Sequence, residues 1–215
     1  FLQELLQRFH IARHAGHDHA RLLVGVVVER HPLQVREDAD AQLGHDAAYY
    51  HTGKSEGAPF FTAFPFGFTT AEMDAWIKFG NGQQLWDELY APFGIRAFHA
   101  GSTGTQMLGW FRKEIRSLAD LEGLKFRAPG NQGRVLQKLG VTPVTLPGGE
   151  IFPALQSGAI DGAEWVGPYN DLALGFYQVC RYYYSPGYHE PGPALQLTVN
   201  EQAWRSLTPE LQAIV

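Results

Sequence analysis

Helices alternate with short apolar strands through the middle of the chain, and this alternation restricts the fold more than any other feature. The hydrophobic spacing predicts helices at 72–79, 82–90 and 131–139, and strands at 94–100, 124–127 and 141–146. A chain with this order of elements is typical of an α/β fold, with mostly parallel sheets and helices on their faces. In such folds, ligands bind beyond the carboxyl ends of the strands.

The segment 146–165 carries the densest set of local signals. Its proline and glycines at 147–149 predict a loop, and Glu150 is an acid of the kind that favours a helix N-terminus. A short helix, a tight turn and a small apolar strand follow. The strand then presents Glu164 and Trp165 where a carboxylate and a large ring can face a ligand.

Arg127 ends a predicted strand just before Pro129 and Gly130, so it lies at the edge of the sheet where a ligand would bind. Its guanidinium is a planar fork that matches a carboxylate with two parallel hydrogen bonds. From the spacing alone, a surface arginine paired with a nearby acid is an equally good interpretation, and such a pair contributes little to stability.

Two acids, Glu164 and Glu190, lie near aromatic residues in turns framed by glycine and proline. Paired carboxylates of this kind serve glycoside hydrolysis, bind metal ions or remain simple solvated charges. A carboxylate-based hydrolase using these two residues is therefore one functional hypothesis. The sequence around them offers no nucleophile elbow, and the glycine-containing stretch 101–104 lacks the Lys-Ser/Thr of a phosphate-binding loop.

Composition excludes several classes of protein. The net charge of −5 is spread along the chain, which argues against a nucleic-acid partner. The apolar run at 22–28 is too short to cross a membrane, so we do not expect the chain to span one. Cys180 is the single cysteine, which permits no internal disulfide, and we expect it to be a buried, unreactive thiol.

Residues 1–42 differ from the rest of the chain. They contain five arginines but no lysine, and five of the nine histidines. This bias predicts an anomalous N-terminal segment that is out of frame; a metal site built from the His10/His14 and His17/His19 spacings is the weaker alternative. At the other end, Thr208 caps a predicted helix that stops within two turns.

Several of these motifs resemble, in order, those of the solute-binding proteins of tripartite ATP-independent periplasmic (TRAP) transporters, in the branch that binds 2-oxo acids. The resemblance runs over about residues 43–215. The segments that carry it are 104–111, 125–130, 146–165, 165–171 and 188–193.

The resemblance implies a periplasmic-binding-protein-like fold of two lobes and a hinge, incomplete at both ends of this chain. Residues 43–103 and 191–215 would form part of lobe I, and residues 104–190 would form lobe II. The implied function is a non-catalytic periplasmic subunit that binds a small carboxylate, such as a 2-oxo acid or lactate, and passes it to the membrane subunits of a TRAP transporter.

The resemblance also assigns roles to individual residues. Arg127 would hold the substrate carboxylate. A bridging cation would be bound by oxygen atoms of four residues, namely Gln106, Glu164, Glu190 and the main chain of Trp165. A set made only of oxygens suits Na⁺ or Ca²⁺ and disfavours zinc.

The substrate-binding set comprises Tyr50, Gln106, Arg127 and Trp165. Tyr50 is preferred over Tyr49 because the hydroxyl of a buried tyrosine needs a partner, which a ligand oxygen can supply. The remaining tryptophans are predicted to serve the core or to anchor helices; they are Trp76, Trp86, Trp110 and Trp204.

Overall fold

A computed structural model describes residues 43–214. The predictions for the anomalous segment 1–42 and its histidines therefore lie outside the described residues, as does Val215. Among residues 43–214, no helix is both long enough and apolar enough to cross a membrane.

The described residues form a mixed α/β fold around two sheets. The strands are β1 (Leu43–Asp46), β2 (Ile95–Ser102), β3 (Gly109–Phe111), β4 (Lys125–Arg127), β5 (Thr142–Val144), β6 (Gly162–Ala163), β7 (Tyr182–Tyr184) and β8 (Ala194–Asn200). The helices are α1 (Thr70–Phe79), α2 (Gly82–Tyr90), α3 (Gly130–Lys138), α4 (Gly148–Ser157), α5 (Pro168–Leu174), α6 (Glu201–Arg205) and α7 (Pro209–Gln212). The predicted α/β class is confirmed.

The first sheet has the strand order β1-β8-β2, and both of its pairings are antiparallel. The second sheet has the order β5-β4-β6-β3-β7. In it, β4 runs parallel to β5 and β6, while β3 runs antiparallel to β6 and β7.

The expectation of mostly parallel sheets is therefore wrong for the described strands, which form mixed sheets. The parallel pairs are β4 with β5 and β4 with β6, and the chain connects these three strands through helical crossovers, with α3 between β4 and β5 and α4 between β5 and β6. Two of the connections cross between the sheets, one from β2 to β3 and the other from β7 to β8. Strand β8, for example, returns from the second sheet and inserts between β1 and β2 in the opposite direction.

Local signals in the sequence explain where the helices begin. Helix α1 starts at a capping box, in which the Thr69 side chain and backbone engage Glu72, and the Thr69 N–H donates to Glu72 Oε2 over 2.9 Å. The predicted helix at 131–139 is α3, displaced by one residue.

Each sheet packs against two apolar clusters. Beside the first sheet, Trp86 is fully buried and its ring stacks on Phe61. Beside the second sheet, Trp110 stacks on Tyr183 with ring centroids 4.0 Å apart. Trp76 and Trp204 pack against apolar clusters as well, so the prediction that these four tryptophans serve the core is confirmed.

Candidate functional site

A polar site lies at the carboxyl edge of the second sheet, where β4 and β6 end side by side. Arg127 is the last residue of β4 and pairs with Ala163, the last residue of β6, so Glu164 follows directly beside it. The Glu164 N–H donates to the Arg127 carbonyl over 3.2 Å. Neighbouring parallel strands end at the same edge of a sheet. A charged residue at the end of each strand therefore lies close to the other, as Arg127 and Glu164 do.

Two segments that cross between the sheets complete the site. The Gln106 N–H donates to the Glu190 carbonyl over 3.0 Å, and the Gly187 N–H donates to the Gln106 carbonyl over 3.1 Å. A Cβ at Gly187 would lie 2.2 Å from the Gln106 carbonyl oxygen, so this close approach requires a glycine. The crossing segments thereby place Gln106 and Glu190 next to the sheet edge.

The Arg127 guanidinium is fully buried and donates in three directions. Nε donates to the Leu146 carbonyl over 3.0 Å, and Nη1 donates to both the carbonyl, over 3.2 Å, and the carboxylate Oε1 of Glu164. Nη2 donates to the Tyr50 hydroxyl over 2.8 Å. Four of its five N–H groups thus have partners among the described residues, which leaves one on Nη2 for a ligand.

Tyr50 belongs to the turn Ala48–His51 that follows β1 in the first sheet, so its contact with Arg127 joins the two sheets. The Arg127 guanidinium also lies against Trp165, with its carbon 5.2 Å from the centre of the indole ring. That ring covers Gly148 at the start of α4, where a Cβ would lie 2.6 Å from the indole. Gly148, which the sequence placed in a loop, is the first residue of α4, and its lack of a side chain allows this close packing.

The Glu164 carboxylate stabilises the charge of Arg127 and opposes the charge of Glu190. Burial alone would lower the pKa of Arg127, but the Glu164 carboxylate raises it above its ordinary value, so the guanidinium stays charged. Burial and then the charge of Glu164 raise the pKa of Glu190 well above the ordinary glutamate value. Tyr49 is affected in the same way, because burial and the neighbouring Glu190 raise its pKa.

The unpaired oxygen atoms of this site are suited to bind a cation. Three buried side-chain oxygens have no hydrogen-bond partner among residues 43–214, and they are Gln106 Oε1, Glu164 Oε2 and Glu190 Oε2. Buried polar atoms are usually paired, so three unpaired oxygens, two of them from carboxylates, suit a positively charged partner. Glu164, His189 and Glu190 each offer one ligand atom, and these atoms lie within 4.8 Å of one another.

The structure therefore brings the predicted residues together around one centre, with Arg127, Glu164, Gln106 and Glu190 buried in it and Tyr50 and Trp165 against the guanidinium. Their roles stay predictions. Sequence reasoning missed His189, although it lies inside the segment 188–193 that carries the resemblance. Its position next to Glu190 was the available signal.

Comparison with known proteins supplies a family. A profile described as bacterial extracellular solute-binding protein, family 7, matches residues 30–215, so the match starts earlier than residue 43, where the resemblance begins. A monocarboxylate 2-oxoacid-binding periplasmic protein of Nostoc sp. is 49% identical over 185 residues, which are 85% of this chain and 51% of that protein.

Two solved structures are similar over the same share of the chain. A TRAP periplasmic solute-binding protein from Pseudoalteromonas atlantica, with bound sodium and pyruvate, superposes with a TM-score of 0.82 at 46% identity. Its counterpart from Colwellia psychrerythraea, with bound calcium and pyruvate, superposes with a TM-score of 0.81 at 47% identity. In each case the match covers 85% of this chain and 55% of the other. The chain thus spans about half the length of these relatives.

Proposed function

The chain belongs to family 7 of the bacterial extracellular solute-binding proteins, and we propose that it binds a small 2-oxo monocarboxylate such as pyruvate together with one Na⁺ or Ca²⁺ ion. The observation that carries this proposal is the meeting of a charged, buried guanidinium with three orphaned oxygens in one site. The two similar structures, which hold pyruvate with sodium or with calcium, support the choice of ligand and ion.

The ligand carboxylate binds on the Nη2 side of Arg127. One N–H of Nη2 is available there, and the Tyr50 hydroxyl accepts the other, so the hydroxyl can donate its own hydrogen to the same ligand. Arg127 and Tyr50 together then supply two donors. A grip by both arms of the guanidinium, as the sequence suggests, would require Nη1 to release Glu164.

The cation is held by Gln106, Glu164 and Glu190, with the Trp165 main chain as the fourth ligand. When bound, the ion supplies positive charge between two acids and a partner for the oxo oxygen of the ligand. All of these protein donors are oxygens, which suits Na⁺ or Ca²⁺. The site would therefore prefer carboxylates that carry an adjacent oxo or hydroxyl oxygen.

Lobe I comprises residues 43–103 and 191–215, and lobe II comprises residues 104–190. Because Tyr50 and Arg127 lie on opposite lobes in this division, hinge movement at the crossing segments would make or break their hydrogen bond. A ligand that binds both Tyr50 of lobe I and Arg127 of lobe II would favour the arrangement in which the two lobes are closed around it.

The compartment is the periplasm, and the partners are the small carboxylate and the membrane subunits of a TRAP transporter. The protein passes its ligand on without catalysis. The hydrolase alternative fits less well, because Glu164 is committed to Arg127 and so is not poised to act as an acid or base.

Isothermal titration calorimetry with pyruvate tests the proposal, in buffers with Na⁺, with Ca²⁺ and with neither. Propionate is the matched control ligand, since it has the same carboxylate but lacks the oxo oxygen. We expect saturable pyruvate binding that is tighter with a cation, weaker propionate binding, and unchanged pyruvate in the NMR spectrum afterwards. Absence of pyruvate binding with either cation, or consumption of pyruvate, would contradict it.

A further inference from the structure

His189 is a polar side chain at the centre of the site to which the proposed function assigns no role. It is 1% exposed, and neither ring nitrogen has a hydrogen-bond partner among the described residues. Burying a polar ring without partners is costly, so such a side chain needs an explanation. Its Nε2 lies 3.7 Å from Glu164 Oε2, which orients the ring toward the two carboxylates rather than toward the apolar core.

The neighbours of His189 hold the ring in place. Its main chain lies in the crossing segment that is hydrogen-bonded to Gln106 through Glu190 and Gly187. The Tyr188 ring packs edge-on against the imidazole, with centroids 5.9 Å apart. The Tyr188 carbonyl in turn accepts a hydrogen bond of 2.8 Å from the Phe66 N–H. Because this packing restricts the ring, its nitrogen faces the site at little further cost in conformational entropy.

Glu164, His189 and Glu190 together offer two carboxylate oxygens and one imidazole nitrogen within 4.8 Å of one another. The donors of a tetrahedral ion with bonds of about 2.1 Å lie about 3.4 Å apart. Small side-chain rotations are enough to close this difference. All three side chains are buried, so an ion bound to them would be shielded from water.

We propose that Glu164, His189 and Glu190 form a binding site for a transition-metal dication such as Zn²⁺ or Co²⁺, with His189 Nε2 as the nitrogen ligand. The inference shares its two carboxylates with the cation site of the proposed function. Imidazole suits borderline ions such as Zn²⁺ and Co²⁺, whereas Ca²⁺ takes oxygen ligands. The expectation from sequence that zinc is disfavoured rested on an oxygen-only set, which His189 changes.

One consequence is competition. A transition-metal ion held by Glu164 and Glu190 occupies the carboxylates that Na⁺ or Ca²⁺ needs, so the two kinds of ion exclude each other. The metal that fills the site then depends on the supply of each ion, and His189 decides how strongly Zn²⁺ or Co²⁺ is favoured over Ca²⁺.

The test is a titration of the full, metal-free chain with Co²⁺ alone, followed by visible absorption. Five histidines lie in residues 1–42, so the relevant ion is defined as the one equivalent that excess Ca²⁺ displaces. We expect this equivalent to bind Co²⁺ more tightly than Ca²⁺. His189→Gln should weaken its Co²⁺ binding by at least about tenfold, and change its visible bands, while Ca²⁺ binding changes by less than about threefold.

His99→Gln is the matched control, because His99 pairs with Asp74 beside the first sheet and should leave the displaceable Co²⁺ unchanged. If Ca²⁺ binds but Co²⁺ binds no more tightly, or if His189→Gln leaves the Co²⁺ bands and affinity unchanged, the inference is overturned while the proposed function stands. Failure of Ca²⁺ and pyruvate to bind would overturn the proposed function.

A measurement on the unsubstituted chain covers the case in which His189→Gln does not fold. Zinc K-edge X-ray absorption of the Ca²⁺-displaceable ion should show scattering from one imidazole, with Zn–N near about 2.0–2.1 Å, beside carboxylate oxygens. A displaceable zinc with an oxygen-only shell would overturn the inference.

Discussion

Replacing Arg127 with methionine should weaken 2-oxo acid binding and strengthen cation binding. Methionine keeps the apolar stem but removes all of the guanidinium donors. Loss of a hydrogen bond to a charged ligand costs about 1.5–3 kcal/mol, which corresponds to about tenfold to about 150-fold in pyruvate affinity. This effect follows from the proposed contact between Nη2 and the ligand carboxylate.

Cation affinity should move in the opposite direction. In the native site the Arg127 charge is in contact with Glu164, so it opposes any cation that binds the same carboxylate. At an effective dielectric constant of about 20, a unit charge within about 10 Å of a divalent ion opposes it by about 3.3 kcal/mol or more. Removal of the arginine should therefore tighten Ca²⁺ binding, measured without pyruvate, by about 100-fold or more.

The same change should destabilise the protein when no cation is present. Arg127 and Glu164 are both fully buried, and breaking such a pair costs about 3–5 kcal/mol because it leaves an uncompensated buried charge. Urea unfolding of the metal-free chain measures this loss, and saturating Ca²⁺ should restore much of it.

Arg134→Met is the matched control, since Arg134 forms an exposed pair with Glu56 over 2.7 Å. That pair is solvated, so its loss should change stability and both affinities little. Calorimetric titrations of both variants with pyruvate and with Ca²⁺ measure the two affinities. Pyruvate affinity that is unchanged in Arg127→Met, or Ca²⁺ affinity that falls, would refute the electrostatic reasoning.

Four further predictions follow from the site. Glu190→Gln should weaken Ca²⁺ and pyruvate binding together in calorimetric titrations, because coupling between two ligands is reciprocal. Tyr50→Phe should weaken pyruvate but not Ca²⁺ in the same assay, since its hydroxyl contacts Arg127 and not the acids. Burial raises the pKa of Glu190, so its neutral form stabilises the metal-free fold below about pH 4.5, and this contribution is lost as the pH rises. Melting temperatures measured in EDTA should therefore fall with rising pH. Bound Ca²⁺ should reduce this fall. Burial also raises the pKa of Cys180 to about 11, so alkylation of the native protein near neutral pH should be slow and should become fast on unfolding.

The sequence alone determined the local helices and strands and indicated the candidate site residues. Apolar spacing located α1, α2 and α3 within two residues of their observed bounds. The position of Arg127 at the end of one strand, and of Glu164 after a later short strand, follows from the same short-range signals. Helix caps, turns and periodicity act between residues a few positions apart, so they can be read from the sequence directly.

The direction of the strands and the partners of the charges were decided by the tertiary structure. The antiparallel insertion of β8 between β1 and β2 depends on how the chain returns from the second sheet, which no local pattern records. The contact of Arg127 with Tyr50 joins residues 77 positions apart. Likewise, His189 gained its importance from two acids and a lack of hydrogen-bond partners. Whether a polar side chain is paired, orphaned or opposed by a like charge depends on which distant groups the fold brings within a few ångströms, because hydrogen bonds and metal ligation act only over that range.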